Sequence, residues 1–384
     1  MSLLGVDVPA PGHNLAPRAF IAPEIFDEEQ RAIFARSWVH VADLCDVKTP
    51  GAYVTATIGR TPVIVMRDRA GELRAFLNAC RHRGAQLLDG KGTCDKQIKC
   101  PYHAWSYGLD GALLGVPYRE QFAHAELEQL NLVPVRVGSV GPFVFATLDP
   151  DAPSLAEWTG DLGRDLLRAG ADKWELGYEL TYELAANWKL FVENANDGLH
   201  VQFVHDILTD AIVLDEKTTH TTLEAHGAYT WAQINPAYVP PDRPIADARI
   251  RFGCVFPNLI PVLSPSDLTY IRVDPIAHDR LKLHVRSFEH PEFVELREFR
   301  KLAFERTADQ DLAVVLRTQR GLHALGLPAG VHAIDAEVRI GHFEQLWVEA
   351  MQDKSGERQT RSAAEGGAEV SDVAQRVAAI RVLR

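Results

Sequence analysis

The chain reads NACRHRG at residues 78–84 and CPYHAW at residues 100–105. The two stretches supply four metal-ligand side chains as two mixed pairs, each with one Cys and one His: Cys80 and His82, then Cys100 and His103. A zinc finger usually groups its two Cys at one end and its two His at the other. The mixed order instead indicates a centre with two metal ions, one bound by thiolates and the other by imidazoles.

Binding of one iron by the two Cys and of the other by the two His produces a Rieske [2Fe-2S] centre. The neutral imidazoles raise its reduction potential above that of an all-thiolate ferredoxin, to between roughly −150 and +300 mV. A structural zinc site with the same four ligands is the alternative, and a colourless protein would support it. Cys94 lies between the two stretches and has no place in either pair.

A second group of ligand residues lies within residues 187–205, NWKLFVENANDGLHVQFVH. Two His and one carboxylate on one side of a metal form the facial triad of Fe(II) oxygenases, which leaves the opposite positions open. His200 and His205 are five residues apart and would point roughly 140° away from each other on a regular helix. We therefore expect a π-type turn or a break between them. The alternative is that they are unrelated polar residues of an amphipathic helix.

Both groups resemble the motifs of one family. The two Cys–His stretches resemble the loops of the Rieske module in ring-hydroxylating oxygenases, with Ala104 where glycine is more usual. Residues 187–205 resemble the catalytic motif of Rieske non-haem iron oxygenases, with Leu199 in place of the usual tyrosine. The resemblance covers most of residues 20–350 and is to the large (alpha) subunit of aromatic-ring-hydroxylating dioxygenase systems.

The resemblance implies a role for each matching residue of the second group. His200 and His205 would be ligands of a mononuclear iron. Asp197 would be the catalytic carboxylate that hydrogen-bonds a Rieske histidine across a subunit boundary and relays the electron.

The third iron ligand is expected much further along, in DQDLAVVLRTQRGL at residues 309–322. The order of Asp311 and then Gln319 resembles the late helix of the family, which makes Asp311 the predicted ligand. Asp309 remains a competitor, because the match is partial and Leu316 replaces a frequent glutamate. The alternative is that Asp311 is only an acid favoured in the first turn of a helix.

Length and composition are consistent with this interpretation. The chain has 384 residues, a net charge of −12 and 46% hydrophobic residues, which suits two domains with separate cores. The negative charge argues against a nucleic acid or an anionic membrane as partner. No long apolar run, secretory signal or disulfide framework is recognisable, so we expect a protein of the reducing cytoplasm.

We predict an α+β protein with an all-β Rieske [2Fe-2S] domain and a catalytic domain built on an antiparallel sheet, which the resemblance implies to be of the helix-grip type. The expected domains are an N-terminal arm and helix at 1–37, a Rieske domain at 38–150, a catalytic domain at 151–351 and a polar tail at 352–384. Helices are predicted at 27–38, with Asp27 as cap, and at 292–321 and 340–351. Strands are predicted at 53–58, 62–67, 73–77, 178–186, 219–234, 250–257, 258–263, 268–274 and 281–288.

The predicted function is that of a terminal oxygenase component, which activates O2 at mononuclear Fe(II) and hydroxylates an aromatic substrate, aromatic acids included, in aromatic hydrocarbon catabolism. A monooxygenase or demethylase acting on a quaternary ammonium or N- or O-methyl compound uses the same ligands and is the alternative. A non-catalytic Rieske electron carrier is the alternative of another class, and it would hold two irons per chain instead of three.

Partners and substrate contacts follow from the same interpretation. NAD(P)H is expected to supply electrons indirectly, through a reductase and in some systems a ferredoxin, because the chain has no Gly-rich dinucleotide motif. The resemblance implies a homotrimer, with or without a small beta subunit. For the substrate cavity we consider a set of strand residues in which an Arg would suit a carboxylate, against core packing or a surface ion pair: Arg251, Phe252, Phe256, Asn258 and Ile260.

Overall fold

The computed structural model describes residues 4–205, 224–226, 228–234, 250–334 and 336–352. It contains small β-sheets in the N-terminal part and one large antiparallel sheet with helices in the C-terminal part. The predicted α+β class is therefore confirmed. The predicted domain boundaries remain predictions, and all but the first residue of the tail at 352–384 lies outside the described residues.

The N-terminal arm leads into two short helices, α1 (Arg18–Ile21) and α2 (Pro23–Glu29), and α2 continues as a π-helical turn, Gln30–Phe34. The predicted bounds of 27–38 are wrong at both ends. The helix begins at Pro23, since proline at the first helical position loses no hydrogen bond that a helix could make. Asp27 is consequently an interior residue and no cap.

The N-terminal part contains three small antiparallel sheets. The predicted strands at 53–58, 62–67 and 73–77 are confirmed to within one residue. The first Cys–His loop follows β4, and the second joins β6 to β7. The strands are β1 (Val39–Asp43), β2 (Ala52–Ile58), β3 (Thr61–Arg67), β4 (Leu73–Leu77), β5 (Lys91–Thr93), β6 (Ile98–Lys99), β7 (Ser106–Tyr107), β8 (Leu113–Gly115), β9 (Arg136–Val140) and β10 (Phe143–Thr147), in the orders β1-β10-β9, β4-β3-β2-β5 and β6-β7-β8.

The C-terminal part is built on a seven-stranded antiparallel sheet with the order β11-β17-β16-β15-β14-β13-β12. The predicted strands of this part are confirmed, except that residues 219–223 lie outside the described ones and 224–234 form two strands. The strands are β11 (Glu175–Leu184), β12 (Glu224–His226), β13 (Tyr229–Ile234), β14 (Ile250–Val255), β15 (Leu259–Leu263), β16 (Asp267–Ala277) and β17 (Arg280–Glu289).

Six helices accompany this sheet in the described part of the chain: α3 (Leu155–Thr159), α4 (Leu162–Ala169), α5 (Trp188–Asn196), α6 (Val201–Val204), α7 (Arg297–Leu322) and α8 (Val338–Gln352). Helix α5 contacts β16, α7 and α8, so it lies between the sheet and the two long C-terminal helices. None of the helices in the described ranges combines the length and apolar composition needed to cross a bilayer.

A buried carboxylate attaches α5 and α8 to the N-terminal helix. Glu29 is fully buried and accepts hydrogen bonds of 2.8 Å from the indole N–H groups of Trp188 and Trp347. It also forms an ion pair with Lys189, which is equally buried. Because a buried charge is tolerated only when it is paired and hydrogen-bonded, this cluster fixes the start of the helix that leads to the second group of ligand residues.

Candidate metal centres

The two Cys–His loops form tight turns that bring their ligand residues to one end of the N-terminal sheets. The Cys80 N–H donates to Ala85 O at 2.8 Å, and the Cys100 N–H donates to Trp105 O at 2.8 Å. Both thiols are buried, with 4% and 3% of each residue exposed, whereas His82 and His103 are only half-buried. The loops therefore place the sulfur ligands on the inside and the imidazoles toward the surface.

Aromatic neighbours hold the two imidazoles. The His82 ring stacks on Trp105 at 5.0 Å between ring centres and lies 4.7 Å from the ring of His103. The Nδ1 atom of His82 is buried and has no hydrogen-bond partner among the described residues. Burial, followed by His103 and Arg83, lowers the pKa of His82, so that its imidazole stays neutral as a metal ligand must.

The geometry of the four side chains does not suit a single zinc ion. Four ligand atoms on one tetrahedral zinc lie about 3.3 to 3.8 Å apart. In the described part of the chain, two groups of three ligand side chains have their ligand atoms within 4.8 Å of one another, and neither includes a residue of the Cys–His loops. The spread of inner thiols and outer imidazoles fits a centre with two metals, as in a [2Fe-2S] cluster.

One of these two groups is not a suitable metal site. Asp43 and Asp46 both form ion pairs with Arg286, at 2.8 and 2.6 Å. Burial, followed by the two Asp, raises the pKa of the third member, Cys45, to about 11, which keeps its thiol protonated. These side chains instead join the N-terminal part to the C-terminal sheet through β17.

Ala104 has a left-handed backbone conformation, with φ +57°. Only glycine adopts this region without a steric penalty, which for other residues is roughly 1 to 2 kcal/mol. The alanine at this position is therefore more than a small change from the usual glycine, because it adds strain to the turn between Cys100 and Trp105.

Tyr107 provides a test of the cluster environment. Its hydroxyl lies 3.2 Å from Cys80 Sγ and accepts the Arg81 N–H at 3.0 Å. A hydrogen bond donated to a cluster sulfur stabilises the reduced state. Tyr107→Phe is expected to lower the reduction potential by roughly 20 to 60 mV, the equivalent of about 0.5 to 1.5 kcal/mol for a one-electron couple.

The measurement is a potentiometric titration of the visible absorption of the cluster. Tyr53→Phe is a matched control, since the Tyr53 hydroxyl donates to the carbonyl of Asp89, at 3.5 Å, and not to a cysteine of the described Cys–His loops. An unchanged potential in Tyr107→Phe would contradict the assignment of this sulfur as a cluster ligand.

The second group of ligand residues lies where a helix breaks. Helix α5 ends at Asn196, and Asp197 has extended backbone angles, φ −87° and ψ 123°. His200 then precedes the single turn of α6, and His205 follows it, again with extended angles. The predicted break or π-type turn between the two His is wrong: residues 201–204 form one regular α-helical turn, in which the His205 N–H donates to Val201 O at 3.0 Å. The helix is instead interrupted before His200, at Asp197, and ends at His205.

Three ligand atoms meet at this break. His200 Nε2, His205 Nε2 and Asp311 Oδ1 form a triangle with edges of 3.2 Å each. Ligands in adjacent octahedral positions around one ion, at about 2.1 Å from it, lie about 3 Å apart. The Oδ1 atom of Asp311 is buried and has no hydrogen bond with any described residue. The three residues therefore fit one face of a metal ion.

Neighbouring side chains fix which nitrogen of each imidazole faces the triangle. His200 Nδ1 lies 3.3 Å from Asp197 Oδ2, and His205 Nδ1 lies 3.1 Å from Gln310 Oε1. The Gln310 carbonyl oxygen places the proton of His205 on Nδ1, which leaves its Nε2 free to bind a metal. Asp197 faces His200 Nδ1 as a counter-charge, without hydrogen-bond geometry. Sequence reasoning missed Gln310, although its position next to Asp311 was a usable signal.

The other candidate acid faces elsewhere. Burial raises the pKa of the Tyr182 phenol on β11 to about 12, and the charges of Glu305 and Asp309 add to this rise. Asp309 therefore lies near Tyr182. It does not belong to the group formed by the two His. The structure thus brings Asp311 into the triangle and not its competitor.

Without a metal, the charged neighbours of Asp311 and His200 shift the pKa values of both residues. Burial raises the pKa of Asp311, but the two imidazoles outweigh it and hold this pKa below its usual value. Burial likewise lowers the pKa of His200, but Asp197 and Asp311 outweigh it and raise this pKa to about 9. The two carboxylates therefore favour a protonated His200 in the metal-free site, and a bound metal would replace that proton on Nε2.

A glutamine on α7 fixes the start of α5. The side chain of Asn187 caps α5 by accepting the Lys189 N–H at 3.1 Å. The backbone N–H of Asn187 donates to Gln319 Oε1 at 2.7 Å, and this amide is buried. Gln319 lies two turns after Asp311 on the same helix, so it sets the position of α7 against the His-bearing segment.

The residues considered for the substrate cavity are mostly committed to other contacts. Arg251 forms an ion pair with the buried Asp165. Asn258 donates to Val273 O at 2.8 Å, and Phe256 and Ile260 are buried in the main core. Core packing, hydrogen bonding and ion pairing account for these four residues.

Comparison with known proteins assigns both parts of the chain. Residues 37–134 match the Rieske [2Fe-2S] domain, and residues 171–353 match the catalytic domain of the ring hydroxylating alpha subunit. The carnitine monooxygenase oxygenase subunit of Escherichia coli K12 is 34% identical over 224 residues, 58% of this chain and 59% of that protein. The anthranilate 1,2-dioxygenase large subunit of Acinetobacter baylyi is 37% identical over 203 residues, 50% of this chain and 42% of that protein.

The chain thus spans less than two thirds of the length of either curated relative. Among solved structures, a quaternary ammonium Rieske monooxygenase superimposes with a TM-score of 0.81. The alignment covers 90% of this chain and 100% of that one at 24% sequence identity. At this identity the likeness shows the fold alone.

Proposed function

Since the chain belongs to the Rieske oxygenase alpha subunits, we propose that it is the terminal oxygenase component of a multicomponent system. The observation that carries the proposal is the 3.2 Å triangle of His200, His205 and Asp311. A facial arrangement of two His and one carboxylate leaves the other side of a metal open. A non-catalytic Rieske carrier has no use for a second, open metal site, which argues against that alternative.

The residues present fit the two iron cofactors of the family. Cys80 and Cys100 would hold the inner iron of the [2Fe-2S] cluster, and His82 and His103 the outer one. The triangle would hold the mononuclear Fe(II). When bound, the cluster supplies single electrons and the mononuclear iron supplies open coordination positions for O2.

The protein's own contribution at the mononuclear site is to fix geometry and protons. Gln310 keeps the proton of His205 on Nδ1, Asp197 provides a negative charge beside His200 Nδ1, and the extended backbone at Asp197 turns the chain so that both Nε2 atoms face Asp311. Asp197 is itself held, since its Oδ1 accepts the Leu199 N–H at 2.7 Å. Such orienting contacts commonly determine metal affinity and activity.

For the substrate, we place a quaternary ammonium compound first and an aromatic compound second. The similarity to a carnitine monooxygenase subunit supports oxidation of a quaternary ammonium compound, the alternative in the sequence analysis. The similarity to an anthranilate dioxygenase subunit keeps aromatic ring hydroxylation as the second candidate. Carnitine and anthranilate both carry a carboxylate, although their nitrogen groups differ.

We also propose the partners expected for this function. Electrons would come from NAD(P)H through a reductase, with or without a ferredoxin, and the oxygenase would be a homotrimer in which Asp197 faces the Rieske histidines of a neighbouring subunit. The Asp197 side chain is 19% exposed, which leaves part of its carboxylate accessible to such a neighbour.

Iron content and O2 uptake test the proposal. We expect about three irons per chain after anaerobic loading, two in the cluster and one in the triangle. With a matched reductase and NADH, L-carnitine or anthranilate should stimulate O2 uptake with formation of an oxidised product. Two irons per chain and no stimulated uptake would instead support an electron carrier.

A further inference from the structure

The Arg339 side chain of α8 is a buried cation without a polar partner in the described part of the chain. It is 2% exposed, and Nε and both terminal nitrogens make no hydrogen bond with any described residue. The half-buried Arg272, by contrast, binds both carboxylate oxygens of Asp274 at 2.9 Å. An unpaired buried guanidinium is strongly unfavourable, so an unpartnered one indicates a ligand that completes its hydrogen bonds.

The described groups near Arg339 are an aromatic ring, a thiol and a phenol. Its guanidinium carbon lies 5.9 Å from the centre of the Phe252 ring on β14. Among the described residues, the titratable groups that affect its pKa are the Cys254 thiol on β14 and the Tyr229 phenol on β13, and neither is an Asp or Glu. Burial lowers the pKa of Arg339 to about 10, so the group stays charged at neutral pH.

This region adjoins the mononuclear site. The Cys254 thiol lies beside the Asn196 side chain, and Asn196 directly precedes Asp197 at the helix break. Asn196 is 2% exposed, and its Oδ1 atom likewise lacks a hydrogen-bond partner within the described ranges. An unused acceptor on α5 and an unused cation on α8 therefore lie near the same thiol, that of Cys254.

We propose that Arg339 binds the carboxylate of the substrate and so makes the pocket selective for organic acids. This inference rests on the proposed function and deepens it, because it names the substrate class of the same site. A planar guanidinium matches a carboxylate through two parallel N–H···O bonds. Phe252, whose ring Arg339 faces, would contact the apolar part of the same ligand.

The test compares each acid with its neutral-headed analogue on the iron-loaded holoenzyme under anaerobic conditions. The probes are L-carnitine with carnitinamide and anthranilate with anthranilamide, and the measurement is calorimetric titration. We expect the wild type to bind at least one acid more tightly than its amide. Arg339→Met should weaken binding of that acid by about 10- to 100-fold, the effect of losing charge-assisted hydrogen bonds, without weakening binding of the amide.

Thermal denaturation gives a second readout, because the melting temperature of the ligand-free variant would fall if Arg339 had a structural role. Removing an unpaired buried cation should leave the melting temperature of ligand-free Arg339→Met unchanged or raised, and the acid should stabilise only the wild type. Arg339→Lys should retain part of the affinity. Arg297→Met is the matched control, since Arg297 is paired with Glu289 at the start of α7 and should not affect binding.

Several outcomes would overturn the inference. They are a wild type that does not prefer either acid, an equal loss for acid and amide in Arg339→Met, or a lowered melting temperature of the ligand-free variant. These outcomes are separable from failure of the proposed function. Acid-selective binding without O2 uptake would leave the anion site standing and reject the oxygenase, whereas O2 uptake without acid selectivity would do the reverse.

Discussion

Replacing Asp311 with alanine is expected to abolish turnover and to remove the mononuclear iron, while the visible absorption of the Rieske cluster stays unchanged. The variant deletes one corner of the 3.2 Å triangle and leaves two neutral imidazoles, which bind a divalent ion much more weakly than the triad does. The Cys–His loops belong to the small N-terminal sheets, which are separate from the sheet of the C-terminal part, and so they keep their ligands. Iron per chain should therefore fall from about three to about two.

The matched control is Asp309→Ala, two residues earlier on the same helix. Because Asp309 lies near Tyr182 and outside the triangle, this variant should retain three irons and most of the turnover. His200→Ala and His205→Ala should behave like Asp311→Ala. Loss of the visible spectrum in any of these variants would argue against two separate metal sites, and full activity in Asp311→Ala would show that another residue is the third ligand.

The sequence was most informative where the chemistry depends on local spacing. The Cys–His pairs and the pair His200 and His205 are each contained in one short segment, and a five-residue separation is incompatible with two ligands on a regular helix. An interruption of the helix in this segment could therefore be predicted, but not its place, since the chain leaves the helix at Asp197, before His200, and keeps one regular turn between the two His. The choice of Asp311 over Asp309 rested on resemblance, and the fold adds the reason: only Asp311 lies on the side of α7 that faces the two His.

What could not be predicted depends on contacts between distant segments. Glu29 fixes α5 and α8 through Trp188 and Trp347, which follow it by 159 and 318 positions. Arg339 resembles any other helix arginine in the sequence, and only the packing of α8 against β13 and β14 shows that it has no partner among the described residues. Arg251 is the opposite case: it was considered for a substrate contact, but it is paired with Asp165, and this ion pair depends on the position of α4.

Asp197→Asn is expected to retain bound iron and to slow substrate-dependent oxidation of the reduced Rieske cluster by at least about 100-fold. The amide keeps the size of the side chain and a carbonyl oxygen for the Leu199 N–H. It loses the charge that faces His200 Nδ1 at 3.3 Å and that, on our proposal, also faces a Rieske histidine of the neighbouring subunit. The measurement is rapid mixing of the reduced enzyme with O2 and substrate, followed by the visible absorption of the cluster.

Two comparisons separate relay from structure. Asp197→Glu keeps the charge and should recover part of the rate, whereas oxidation of the cluster in Asp197→Asn at the wild-type rate would reject the relay. Co-expression then tests the subunit boundary: Asp197→Asn chains have an intact cluster, and His103→Ala chains have an intact Asp197 but no working cluster. In a ring of subunits with heterologous contacts, mixed assemblies place one chain's cluster beside the other chain's Asp197 and should regain activity. If metal-loaded mixed assemblies stay inactive, electron transfer must run within one chain, because neither variant chain has both a working cluster and an intact Asp197.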